Sequence, residues 1–109
     1  MVIARRITFT DRQTATIEPF DFDPTPSHEN ELVFETLVSA ISSGTELASY
    51  TNDQDIGHWQ GEPYPVHPGY ASVGRVIAMG DAVEGWEVGD VSFVQRGHAS
   101  HHRTEQKKK

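Results

Sequence analysis

Apolar and polar positions alternate along much of this chain, and a two-residue period is the mark of β-strands. Val2 to Phe9 (VIARRITF) reads as a first strand and Gln13 to Glu18 (QTATIE) as a second. Asp11 and Arg12 between them have hairpin-turn character, so the pair is expected to run antiparallel. Pro19 to Asn30 (PFDFDPTPSHEN) holds three prolines and three acids, which predicts a loop, because proline offers no amide to a ladder. Glu31 to Ser42 (ELVFETLVSAIS) is the strongest strand. Leu32, Phe34, Thr36 and Val38 fall on one face and Val33, Glu35 and Leu37 on the other. That mixed second face predicts partial cover by another sheet or a helix. Thr45 has the chemistry of a helix N-cap, with Glu46 and Leu47 in the first turn of a short helix reaching about Tyr50.

Thr51 to His67 is polar and rich in Gly and Pro, which predicts a long loop. Tyr70 to Met79 (YASVGRVIAM) is a strand interrupted at Gly74, where a bulge or a close backbone approach is expected. Gly80-Asp81, Gly85 and Gly89-Asp90 mark turns, and Val91 to Val94 is a last short strand. Beyond Gly97 the sequence HASHHRTEQKKK shows no apolar face. The pattern therefore predicts a mainly β fold, a partial barrel with one or two short helical turns, over residues 1–97. Residues 98–109 are expected to form a polar, disordered tail.

Composition narrows the function classes. The net charge of −7 in 109 residues argues against general nucleic-acid binding, which needs a basic face. The closing Lys107-Lys108-Lys109 reads as solvated sequence rather than a phosphate patch. The absence of cysteine removes disulfides, thiolate catalysis and Cys-containing zinc sites. No stretch approaches the roughly 20 apolar residues of a membrane span, and the start lacks a signal-peptide core, so a cytoplasmic location is the default expectation.

Several candidate constellations are weak. Gly69-x4-Gly74 lacks the Lys-Ser/Thr of a phosphate loop and lies on a strand, and no G-x-G-x-x-G occurs. On a helix, two or three of His98, His101 and His102 could face one ion, but their surroundings favour exposed, unliganded side chains. The hydroxyls of Ser42, Ser43, Thr45 and Tyr50, with His58 and His67 as possible bases, carry no hydrolase signature such as G-x-S-x-G. Capping and loop hydrogen bonds are the plainer reading.

Three blocks stand out in order: SSGTEL (Ser42–Leu47), PGYASVGRV (Pro68–Val76) and VIAMGDAVEGWEVGDVSF (Val76–Phe93). Together they resemble the GroES-like domain of the medium-chain dehydrogenases/reductases, from about Glu31 to Phe93. In the third block the anchors are Val76, Met79, Gly80, Val83, Trp86, Gly89, Asp90 and Ser92, with Val91 able to fill the last place. Its glycines at 80, 85 and 89 suit positive φ in tight turns, Val83 and Trp86 are apolar anchors, and Asp90 can accept from turn amides.

Zinc-containing members of that family carry a Cys-Gly-Thr-Asp run and a Gly-His-Glu run. Here the same places read Ser43-Gly44-Thr45-Glu46 and Gly69-Tyr70-Ala71. Serine is a poor zinc ligand beside a thiolate and alanine offers none, so no metal is expected. The resemblance implies the zinc-independent branch, in which hydrogen-bond donors polarise the substrate carbonyl. Tyr70 and Thr45 are the candidates, with Ser43 as a proton relay. Packing of the Tyr70 ring on the barrel is an equal alternative.

The resemblance further implies an NAD(P)-dependent alcohol dehydrogenase-like oxidoreductase. Its substrate is a small carbonyl or alcohol, and its NAD or NADP is held by a Rossmann domain rather than by this chain. These residues are expected to be inactive alone and to need a Rossmann-domain partner or a homo-oligomer. A stand-alone β-rich interaction module without catalysis is the alternative.

Overall fold

The computed structural model describes residues 1–41, 46–47, 50–51 and 65–106. Strands β1 (Val2–Asp11) and β2 (Thr14–Phe22) form an antiparallel hairpin. Strands β3 (Glu31–Ser39), β4 (Ser72–Met79), β5 (Val91–Val94) and β6 (His101–Glu105) form a four-stranded sheet in the order β5-β4-β3-β6. All pairings are antiparallel, and the strands do not close into a complete barrel. The fold is mainly β, as the alternation predicts.

The hairpin turn sits one residue later than expected. Asp11 pairs with Thr14, and Gln13 takes a positive φ of 53° while the Arg12 amide donates to the Asp11 carboxylate at 2.7 Å. β2 also runs through Pro19 to Phe22, where a loop was expected. The register explains why proline is tolerated. Pro19 faces Arg5, whose amide donates to Ser100 Oγ at 2.9 Å and whose carbonyl accepts from the Ser100 amide at 2.7 Å. Arg5 therefore directs its ladder groups away from β2, and no hydrogen bond is asked of Pro19.

β3 is buried on both faces at its start. Leu32 and Phe34 pack with Val76 and Val94, and Met79, Val83 and Trp86 cover that cluster. Val33 points the other way, into Ala4 and Phe22 of the hairpin, with Phe20, Ile77 and Ala78 around them. The expected cover over the second face is thus the β1–β2 hairpin. Each fully buried side chain of this size contributes roughly 1.5–3 kcal/mol. The simple alternation fails at Leu37, an extra residue in the ladder between the pairs Thr36–Gly74 and Val38–Val73, and Val38 turns out to solvent. Gly74 lies opposite this bulge, and a Cβ there would stand 3.2 Å from both the Glu35 carbonyl oxygen and Phe34 Cβ. The close approach expected at Gly74 therefore holds, whereas the bulged residue is Leu37 of the partner strand and Gly74 stays paired in the ladder.

The turn glycines divide by cause. Gly85 and Gly89 have φ of 83° and 101°, as expected. Gly80 is different: it has no positive φ, and a Cβ there would come within 2.4 Å of the Glu29 carbonyl group. Close passage of the 28–29 backbone, rather than turn geometry, requires glycine here. Asp90 behaves as expected, its carboxylate accepting the Glu87 amide at 2.9 Å.

The largest departure is at the end of the described chain. Residues 98–106 are built into the fold rather than forming a tail. β6 pairs with β3 from Glu31–Glu105 to Glu35–His101. Just before it, residues 98–100 lie between the two sheets. The Ile7 amide donates to the His98 carbonyl at 2.8 Å, and the Thr36 amide donates to the Ser100 carbonyl at 2.7 Å. The segment expected to be loose joins the hairpin to the main sheet. Residues 107–109 lie outside the described residues.

Among the described residues no helix is long and apolar enough to cross a membrane.

Candidate functional site

Two of the three expected site residues, Ser43 and Thr45, lie outside the described residues. Glu46 and Leu47 of the first block, and Tyr50 and Thr51 just after it, are helical. Thr51 Oγ1 donates to the Leu47 carbonyl at 2.9 Å, and the Tyr50 ring meets Phe9 edge-on at 5.3 Å between centroids. The helical segment is thereby seated on β1. Leu47 remains half exposed.

The residues leading into the second block also reach β1. Val66 bridges to Phe9 through paired backbone hydrogen bonds of 2.8 and 2.9 Å, and His67 Nδ1 lies 3.2 Å from Thr8 Oγ1. Pro68 then accepts the His98 amide at 3.1 Å, and Gly69 follows with φ 100°. A Cβ on Gly69 would stand 2.8 Å from His98 Cδ2, so the bare backbone of this glycine rests against the His98 ring. Tyr70, the third expected site residue, is 54% exposed, so its ring is not packed in the core.

His98 is where the two blocks meet. Its ring is 10% exposed and makes a hydrogen bond at each nitrogen: Nε2 to the Glu46 carboxylate, itself 9% exposed, and Nδ1 to Ser39 Oγ at 2.6 Å. A carboxylate only accepts, so the Nε2 proton points to Glu46. In the neutral ring, Nδ1 then accepts from the Ser39 hydroxyl. The three side chains form one side of a cleft of about 570 Å³, whose other lining is Ile7, Phe9, Ile41, Leu47, Tyr50 and Pro68. An apolar cavity with a few convergent polar groups is the usual form of a small-molecule site.

Residues 35–109 match the alcohol dehydrogenase GroES-like domain family. The chain belongs to this family. Aldehyde reductase AdhA of Synechocystis sp. is 33% identical over 75 residues, which cover 69% of this chain and 20% of that reductase. A mutant enoyl thioester reductase from Candida tropicalis superimposes with a TM-score of 0.72 at 20% identity, over 96% of this chain and 32% of that one. The complex of Etr1p, a C. tropicalis 2-enoyl thioester reductase, with NADP and crotonyl-CoA gives a TM-score of 0.68 at 18% identity, over 96% and 32%. The chain thus spans about a fifth of the reductase and about a third of the two solved chains.

In this GroES-like domain the family's zinc-ligand places do not suit the metal. They hold a hydroxyl at Ser43, a phenol at Tyr70 and a methyl at Ala71, with no thiolate or imidazole among them. The histidines near the end do not gather either. His98 faces Glu46 and Ser39, His101 Nδ1 lies 2.8 Å from Ser100 Oγ, and His102 Nε2 donates to the Gly97 carbonyl at 3.0 Å. Strand geometry sends adjacent side chains to opposite faces, so the spacing that suits a helix scatters them here.

Sequence reasoning placed His98 in the tail and left Ser39 unremarked. No signal in the sequence pairs Glu46 with a histidine 52 residues away.

His102 gives the domain a pH dependence of its own. Burial is the main cause lowering its pKa, opposed by the Gly97 hydrogen bond and aided by Arg96 and His101. Its folded pKa is depressed, so above the ordinary value of about 6.5 both states are neutral and nothing is lost. As pH falls through that value the unfolded chain takes up the proton first, and stability declines. Urea midpoints are therefore expected to fall between pH 7.5 and pH 5.5, with a smaller fall in His102→Gln. An equal fall in both proteins would contradict this assignment.

Proposed function

We propose that this GroES-like domain forms the substrate side of an NAD(P)-dependent alcohol dehydrogenase-like oxidoreductase that works without catalytic zinc. The observation that carries the reading is the convergence of both family blocks on one apolar cleft with a polar side. A small carbonyl or alcohol compound fits such a site. The nicotinamide, held by a Rossmann domain outside these residues, supplies or accepts the hydride when bound. We assign Tyr70 and Thr45 as hydrogen-bond donors to the substrate oxygen and Ser43 as a proton relay. One well-placed donor of this kind contributes about 10²–10³ in rate. The protein is assigned to the cytoplasm, with the Rossmann domain or a second copy as its partner.

The test compares the 109-residue chain with a polypeptide that also carries the Rossmann domain, using short aldehydes with NADH and NADPH. Only the longer protein is expected to turn over, EDTA is expected to leave its rate unchanged, and Tyr70→Phe is expected to lower kcat about 100-fold. Turnover by the 109 residues alone, or loss of activity with EDTA that zinc restores, would contradict the proposal.

A further inference from the structure

The geometry points to Ser39, His98 and Glu46 as a proton relay serving the cleft, with Ser39 as a further group that meets the substrate oxygen beside the donors named above. The inference rests on the oxidoreductase reading and adds residues outside the three blocks that carry the family resemblance, apart from Glu46 itself.

The arrangement has three features of a relay. The groups are in series: Glu46 carboxylate, His98 Nε2, His98 Nδ1 at 2.6 Å from Ser39 Oγ. The inner two are about nine-tenths buried, with His98 10% and Glu46 9% exposed, so the imidazole exchanges protons through its two partners. Ser39 alone is half-buried, and it stands on β3 where the strand reaches the cleft. The ring is also fixed in place. Gly69 leaves no room for a Cβ against it, and its own amide is tied to Pro68 at 3.1 Å.

The proton balance is simple. Hydride addition to a carbonyl carbon leaves an alkoxide that needs one proton. With His98 charged, Nδ1–H donates to Ser39 Oγ, and the Ser39 hydroxyl proton is free to point at the substrate. Ser39 gives that proton to the alkoxide and takes the Nδ1 proton from His98. The products are a neutral alcohol, an intact serine and a neutral imidazole whose Nε2–H still faces Glu46. The ring recovers its proton by way of the Ser39 hydroxyl between turnovers, and alcohol oxidation runs the same steps backwards. In this scheme Ser39 is the catalytic residue, and His98 and Glu46 are positioning residues that act through it.

Two measurements test this. In the 109-residue chain labelled with ¹⁵N-histidine, titration with benzyl alcohol is expected to shift the His98 ring nitrogens saturably. Ser39→Ala is expected to weaken that binding about 5-fold, the value of one neutral hydrogen bond. No saturable shift at His98 would overturn the site. In the polypeptide with its Rossmann domain, Ser39→Ala and His98→Gln are expected to lower kcat for aldehyde reduction on the order of 100-fold, with KM little changed. Exogenous imidazole is expected to restore part of the rate in His98→Gly, which a merely structural pin would not allow. If the wild-type protein turns over and Ser39→Ala keeps its kcat, the relay is wrong and the oxidoreductase reading stands. If the wild-type protein shows no NAD(P)H-dependent turnover, both fall.

Discussion

Arg103→Ala is expected to destabilise the domain by about 3 kcal/mol, although the residue lies in a stretch whose sequence reads as solvated tail. Its guanidinium meets the Glu31 carboxylate at 2.7 Å, donates to Ser27 Oγ at 2.8 Å and to the Asp23 carbonyl, and lies 4.6 Å over the Phe22 ring. The Glu31 side chain is only 5% exposed, so its partners matter more than those of a surface acid. Removing Arg103 leaves the Ser27 amide at 3.0 Å and His28 at 3.3 Å, too little to replace a cation facing a buried carboxylate. Much of the cost is the stranded charge, so Glu31→Gln added to Arg103→Ala is expected to return part of it. A urea-denaturation double-mutant cycle measures both values. A cost below about 0.5 kcal/mol for Arg103→Ala, typical of exposed positions, would show that residues 98–106 are not integral to the fold.

Phe34→Ala is expected to cost about 3–5 kcal/mol. A small domain has about 5–15 kcal/mol in total, so this variant is expected to lose a large share of its stability. Phe34 is 2% exposed at the centre of the Leu32–Val76–Val94 cluster, and the Trp86 ring meets it edge-on at 6.2 Å. The adjoining groove between β5 and β6, lined in part by Leu32, Phe34, Trp86 and Val94, is already open. Truncation would join the new void to that groove and remove the support under Trp86. Trp86 fluorescence, read in a Trp59→Phe background, is expected to shift to the red in the folded fraction. Phe34→Leu keeps most of the volume and is expected to cost far less. Similar stabilities for the Ala and Leu variants would place the core elsewhere.

Most of the fold could be read from the sequence where side-chain burial sets the pattern. β3, β4 and β5 show their apolar faces in the one-letter code, and so does the antiparallel hairpin. β6 does not, because His101-His102-Arg103-Thr104-Glu105 contains no apolar residue. Its place is set by backbone pairing with β3, and its side chains cover Phe22 with a guanidinium and the His101 ring, 5.2 Å away. Polar side chains with flat or apolar surfaces act there as aliphatic ones do elsewhere. The strand character of Pro19 was hidden for a different reason, since it depends on which way Arg5 turns its amide. At the site, the sequence located both blocks. The partner of Glu46 stayed out of reach because it lies 52 residues away.

The pairing of Pro19 with Arg5 also bears on how the molecule behaves in a crowded solution. Among the described residues β2 has a partner on one side only, so its outer rim presents main-chain groups that a strand from another copy can copy onto itself. Ile17 and Asp21 turn their amides outward by the same alternation, and Ile17 adds a side chain that is 67% exposed. Midway between them stands a residue with no N–H to give. The rim is interrupted where growth of a cross-β stack would have to pass, at a position that costs the folded domain no hydrogen bond.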